Sequence, residues 1–414
     1  MPISDQDKLI IRDLARQVAE IASLPVQKEK ADMWRRHNSL QRSRPLVMTF
    51  LEDGAVWPDM LSEADLQTSD PLCRGHELAL RKVLFAWEHF RDDKVIDGAI
   101  TSPIFVSDTG WSFGIASTHP DDPLGACSYD GTIKTEADID LIKMPQVNVD
   151  WEGTERHYEM LCDLFDGILK VEKRGAMGFW FSIFDEFVTM RGLEQAFLDM
   201  VDRPQWLHEF MEKMTQGVLS RIDQLQALGA LSLNNGPNFV GSGGLGCTDE
   251  LPQPDFDGTH VRPIDMWGHA TTQIFSEVSP AMHDEFALRY EGRFGKRFGL
   301  MCYGCCEPLD RKIDIISRAL PNLRRISMSP WVDVARGAEA LQDKFIFSYK
   351  PNPAVVAGEG FDAERVRKDL REKLELTRGC VIELILKDVR SCRHQPQRII
   401  EWTKIAMELA EEFA

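Results

Sequence analysis

The chain has 414 residues, 43% of them hydrophobic, enough to bury a core as one large domain or two ordinary ones. Its 66 acidic residues outnumber 48 basic ones, and a net charge of −18 argues against nucleic acid or an anionic membrane as the main partner. The nine cysteines are odd in number and mostly scattered, so they make no disulfide framework. With no signal-like start and no apolar run near the roughly 20 residues of a membrane span, they predict a reduced, cytoplasmic setting.

Ser4 is placed to cap a first helix, whose Ile11, Leu14, Val18 and Ile21 form one apolar stripe. Pro45 leads into 46–50, a short apolar run predicted as a buried strand. Further strands are expected at 99–106, where Pro103 counts against regular pairing, and at 177–183, 231–235, 300–303, 325–328, 345–349 and 381–386. Helices are expected over 205–228, 280–297, 309–320, 332–342 and 363–377, with a last one opening at Pro396. Short apolar strands alternating with helices mean a parallel sheet, and eight such units favour an α/β fold of the (β/α)8 TIM-barrel type. The expectation is one domain: an N-terminal helical extension over 1–44 and the barrel over 45–414. Long insertions follow Phe50 and fill 107–150 and 236–265.

Chemistry in such a barrel collects at the C-terminal ends of the strands. Those ends carry Glu52 and Asp53, Asp185 and Glu186, Asn234 and Asn235, Ser329 and Trp331, Lys350 and Asn352, and Lys387 and Asp388. The densest is Met301-Cys302-Tyr303-Gly304-Cys305-Cys306-Glu307. Thiols gathered there suit a soft metal such as zinc, or a redox or nucleophilic thiol; the plainer alternative is a set of small buried hydrophobes. Glu383 sits inside Val381-Ile382-Glu383-Leu384-Ile385-Leu386, so it must be paired, hydrogen-bonded, metal-bound or protonated. Lys387 or Lys350 is a possible partner.

The glycines of 241–250 do not make a phosphate loop. No Lys-Ser/Thr follows them, and Pro252 and Pro254 break the helix such a loop would open. A flexible lid over the barrel mouth is expected instead. His260 and His269 flank this insertion and are within reach of the mouth, although a structural or surface role is the commoner one. No GxSxG, HExxH or HxH pattern is present.

The late strands, with the cysteine-rich end, Arg325-Ile326-Ser327-Met328-Ser329-Pro330-Trp331, Phe347-Ser348-Tyr349-Lys350-Pro351-Asn352-Pro353, Glu383 to Asp388 and Pro396-Gln397-Arg398, resemble the uroporphyrinogen decarboxylase superfamily. Asn234-Asn235, Thr248-Asp249-Glu250-Leu251-Pro252 and Trp267-Gly268 are similar to its branch of corrinoid-dependent methyltransferases and anaerobic O-demethylases. Decarboxylases of the superfamily carry an arginine after the first strand for substrate carboxylates; here Glu52 and Asp53 stand there, against porphyrinogen decarboxylation. The methyltransferase branch binds zinc through His-x-Cys at the fifth strand end and a late cysteine. This chain departs from that pattern, and Cys392 lies beyond the late position.

The resemblance implies a methyltransferase moving a methyl group between a small methylated substrate, such as an aryl methyl ether, and a corrinoid carried by a partner protein. Zinc would be drawn from Cys302, Cys305, Cys306, Glu307 and Glu383, acting as a Lewis acid on the leaving oxygen. Asp388 or Glu277 would orient or protonate, Asn234, Asn235 and Lys350 would bind polar groups, and Trp331 would stack on an aryl ring. The rival is a metal-free decarboxylase or lyase on a small acid, with Lys350 or a buried acid as proton donor. A homodimer is possible.

Overall fold

The first helix forms where its cap and stripe place it. In the computed structural model, which describes residues 3–51, 56–115, 117–118, 128–129 and 131–414, α1 spans Asp5–Ala22. Ser4 Oγ accepts from Asp7 N at 3.0 Å, and Ile11, Leu14, Ala15 and Val18 are buried. Pro25 opens α2 (Pro25–Asn38), and the Asp70 side chain caps α3 (Pro71–His89) through the Leu72 and Cys73 amides. Glu52 and Asp53 lie outside the described residues.

The strands are β1 (Leu46–Thr49), β2 (Ala99–Pro103), β3 (Phe105–Asp108), β4 (Ser117–Thr118), β5 (Ser128–Tyr129), β6 (Val147–Asp150), β7 (Lys170–Arg174), β8 (Trp180–Phe181), β9 (Trp267–Ala270), β10 (Leu300–Tyr303), β11 (Leu323–Met328), β12 (Ile346–Tyr349) and β13 (Val381–Leu386). Seven form one parallel sheet in the order β1-β13-β12-β11-β10-β9-β8. Helices at Ile313–Ala319, Val334–Leu341 and Ala363–Leu376 carry the chain across between β10, β11, β12 and β13, the connection parallel strands need. The fold is therefore α/β with a parallel seven-stranded sheet. Among the described residues its pairing does not run from β8 back to β1. Instead β2 pairs with β7 in a separate two-stranded parallel sheet. No helix among them is long and apolar enough to cross a membrane.

Two expectations about strands need correction. The run 231–235 contributes one bridge, Leu231 to Ala176, and 177–183 shortens to β8. The strand that takes the interior position is β9, inside what looked like the end of a loop. Its Trp-Gly-His-Ala has neither alternation nor β-branched residues, and glycine weakens an isolated strand. Tertiary packing requires that glycine: a Cβ on Gly268 would stand 2.6 Å from the Phe298 ring and 2.7 Å from Met301 Sδ.

The sheet has two unlike faces. On one, Ile382, Leu384, Leu386, Phe347 and Tyr349 join the main helix-covered core. Full burial of each such side chain stabilises the fold by about 1.5–3 kcal/mol. On the other, Ile385, Leu46 and Met48 pack against Leu245 and Cys247 of the glycine-rich segment. The N-terminal extension reaches this second face too. Asn38 Nδ2 donates to Leu245 O and Cys247 O, both at 2.8 Å, and Oδ1 accepts from Arg325 Nη2 at 2.7 Å.

Candidate functional site

Residues 241–246 are the floor of the site and not a lid. Ser242 to Cys247 are buried, laid against the second face of the sheet. Side chains would not fit between this backbone and the strands. A Cβ on Gly241 would lie 2.5 Å from Cys302 Cβ, one on Gly243 2.8 Å from Lys350 Nζ, and one on Gly244 2.7 Å from Glu383 Oε2. Gly241 and Gly244 also hold φ of +62° and +76°, which glycine adopts without penalty.

Below this floor the polar residues contact one another. Glu383 Oε1 forms an ion pair with the Arg325 guanidinium, 3.1 Å from Nε, and accepts from the Ser348 hydroxyl, while Oε2 accepts from His37 Nε2 at 3.1 Å. Burial would raise the Glu383 pKa, but Arg325 and the His37 hydrogen bond outweigh it and hold the carboxyl at about 2. Burial pushes the His37 pKa down, so His37 donates as a neutral imidazole and Arg325 is the cation of the pair. Lys350 is buried and donates to Ser348 O at 3.0 Å; burial, with Lys387 and Arg325 nearby, brings it to about 7. Arg325 Nη1 stands 3.8 Å from Cys302 Sγ. The partner of Glu383 is thus Arg325, not Lys387 or Lys350. Glu383 and Cys302 belong to this sealed network, away from the strand-end thiols.

Above the floor, at the C-terminal edge of the sheet, Cys306 is exposed and Asp388 half-buried, with Cys305 and Lys387 buried just behind them. Gly304, at φ +89°, turns the chain out of β10, and Ser327 Oγ donates to Cys305 O at 2.9 Å. The two neighbouring thiols stand 3.4 Å apart, and Cys306 is exposed. The hydrogen bond from Cys306, aided by Lys387 and Ser242, outweighs burial and brings the Cys305 thiol down to about 7. The same bond pushes Cys306 up. Lys387 Nζ lies 3.7 Å from Cys305 Sγ, 3.2 Å from Ser242 Oγ and 3.4 Å from Asp388 Oδ1. Asp388 holds φ +59°, uncommon for a residue other than glycine, and its Oδ2 is 4.0 Å from Cys306 Sγ.

Most of the other expected site residues are placed elsewhere. Glu307 is buried and turns inward: it accepts from Cys305 N at 3.0 Å and Thr271 Oγ1 at 2.8 Å, so it braces the cysteine turn. Asn234 takes the role of a strand, its side chain bonding Trp267 N, Trp267 O and Met177 O at 2.9, 3.0 and 2.6 Å. Asn235 donates to Leu251 O at 2.6 Å. Both are structural amides here. Glu277 is exposed after a short turn beyond β9, and Trp331 is 68% exposed beyond β11. Cys392 belongs to another cluster, its amide donating to Asp59 Oδ2 at 2.8 Å. His260 is exposed and paired with Asp257. His269 is buried in β9, beside the edge strand β8 and under Trp180 at 4.1 Å between rings; burial and the nearby Lys387, Lys350 and Arg325 lower it to about 3. Sequence reasoning missed Arg325, His37 and Ser242. The first carried the same signal as Glu383, a charge inside an apolar strand.

Zinc needs three or four ligands converging on one point. Cys305, Cys306 and Asp388 are donors of the right kind, but among the described residues no three of His, Cys, Asp or Glu converge on a metal position. The Lys387 ammonium beside Cys305 adds a charge that a dication would have to oppose. These residues, as arranged, do not fit a resident zinc ion.

No protein-family model matches the chain, and no curated protein does. Among solved structures, a methyltransferase from Methanosarcina mazei aligns with a TM-score of 0.46 and 10% identity, over 91% of this chain and 97% of that one. Likeness at that level says nothing of activity.

Proposed function

We propose that the chain is a methyltransferase that moves a methyl group between a small methylated substrate, such as an aryl methyl ether, and a corrinoid carried by a separate protein. The observation that carries this reading is the thiolate–ammonium pair of Cys305 and Lys387 at the open end of the sheet, 3.7 Å apart, with the exposed Cys306 thiol beside it. The sequence resemblance supports the reaction class. The all-parallel order of the main sheet supports reading it as the larger part of a (β/α)8 barrel, whose chemistry sits at this end. The eight free cysteines among the described residues suit a reducing cytoplasm.

Breaking a methyl–oxygen bond leaves the electron pair on oxygen, a poor leaving group unless its charge is met. Lys387 meets it, and gives that oxygen a proton. The Cys305 thiolate and Ser242 keep the ammonium aimed at the edge. Asp388 orients the substrate from the solvent side, and Trp331 offers an aromatic face. The corrinoid, when bound, supplies the nucleophile for the methyl carbon. No step in this scheme runs through a metal ion. The lyase reading needs a donor in contact with substrate, and Lys350 lies beneath Gly243 instead.

The test is methyl transfer from a panel of methoxylated aromatics and methylamines to cob(I)alamin, followed by the visible spectrum of methylcobalamin. Wild type should react, with Lys387→Met slowed about 100-fold or more, the usual scale for losing a group that meets transition-state charge. No transfer by wild type, together with decarboxylation of a small organic acid, would replace this reading with the lyase. One zinc per chain, lost in Cys305→Ser, would reinstate a metal-assisted version.

A further inference from the structure

A cavity of about 390 Å³ lies between α3 and the stretch 91–101 that leads into β2. It is independent of the cysteine site and shares none of its residues. Protein interiors hold few voids larger than a water molecule, whereas this volume falls within the usual range of small-ligand pockets. Leu80, Val83 and Trp87 of α3, with Ile96 and Ile100, give it an apolar wall.

Lys30, Arg91, Asp92, Lys94 and Asp97 also line it, and of these Lys30 is a buried ammonium with little direct hydrogen bonding. Lys30 of α2 is 7% exposed, and among the described residues its ammonium makes a single hydrogen bond, a long one of 3.3 Å to Lys94 O. It also lies 5.2 Å from the Trp87 ring centre, on which the Arg91 guanidinium stacks at 4.2 Å. The nearby carboxylates of Asp92 and Asp93 attract it through space, but their hydrogen bonds go elsewhere. Asp92 accepts from Thr49 N at 2.7 Å and Lys94 N at 3.1 Å. Asp93 accepts from Arg44 at 2.7 and 2.9 Å and from Val47 N at 2.8 Å. A buried ammonium with two unmet N–H directions, beside an aromatic ring and an apolar wall, has the recognition elements for an anion with a greasy body.

The geometry points to a second binding site here, taking a small carboxylate with an aromatic or branched apolar body. The carboxylate pairs with Lys30 Nζ, and the body lies along Trp87 and Ile96.

Calorimetric titration of the full chain with phenylacetate, and with toluene as its uncharged counterpart, tests this. The expected result is one saturable phenylacetate site. Lys30→Met should weaken it about tenfold or more, equal to about 1.4 kcal/mol, while toluene binding is unchanged. Ala86→Phe, which fills the cavity, should abolish both, and Cys305→Ser should change neither. The proposal is overturned if wild type shows no saturable phenylacetate binding up to about 10 mM, a range that covers even weak sites. Equal affinity in Lys30→Met, or loss in Cys305→Ser, overturns it as well. Should Lys30→Met fail to fold, a wild-type crystal soaked in phenylacetate decides: density with its carboxylate on Lys30 sustains the site, and density elsewhere or none removes it.

Discussion

Two groups of ionisable side chains share one sheet. Beneath the glycine segment, Arg325, Glu383, His37 and Ser348 are sealed from water and held by contacts with one another and with Asn38. Just past the strand ends, Cys305, Cys306, Lys387 and Asp388 are held together more loosely, with Cys306 and part of Asp388 in solvent. Both contain a cation, an anion and a neutral donor. The difference is access. A closed set stabilises one protonation state and one geometry, whereas the second set holds a buried thiolate and ammonium directly behind the exposed Cys306 and half-buried Asp388.

The largest effect should come from breaking the closed set. Glu383→Ala leaves Arg325 buried and unpaired, and should cost about 3–5 kcal/mol in urea denaturation. The folded Glu383 carboxyl is held near 2, below the ordinary 4.5 that applies once the chain unfolds. Its contribution is therefore complete above pH 4.5 and is lost as pH falls toward 2. A stability profile that is flat across that window would break the comparison. Next in size, Gly244→Ala forces a Cβ against Glu383 and Arg325 at a positive φ, and should destabilise by about 1–3 kcal/mol. The second set should respond in reactivity and not in stability. Alkylation of Cys305 by iodoacetamide should rise with a midpoint near pH 7, and Lys387→Met should move that midpoint up by about one unit. An unmoved midpoint would mean that Lys387 does not govern the thiol. The smallest effect is Trp331→Ala. The ring is exposed, so stability should change by less than about 0.5 kcal/mol while aryl-substrate KM rises.

The later strands were legible because β10 to β13 are compact apolar runs between amphipathic helices, and their periodicity needs no knowledge of neighbours. β9 was not, because its glycine and histidine make sense only against Phe298 and Trp180. The cysteine turn and Asp388 were visible as residues out of keeping with the apolar strands they follow. Asn234 and Asn235 raised the same signal and proved to be backbone braces, since an amide at a strand end serves main chain and ligand equally well. Glu383 was legible as a problem. Its solution drew on His37, some 350 residues earlier, which no local pattern announces.

The glycine segment gives the site a floor of peptide groups in place of side chains. Peptide dipoles neither gain nor lose protons over the range in which proteins fold. The field they cast upward stays constant from mildly acid to mildly alkaline solution, and the pH response of this edge is left to the side chains standing on it. The chemistry can then be retuned by exchanging residues at the rim, without disturbing what lies beneath.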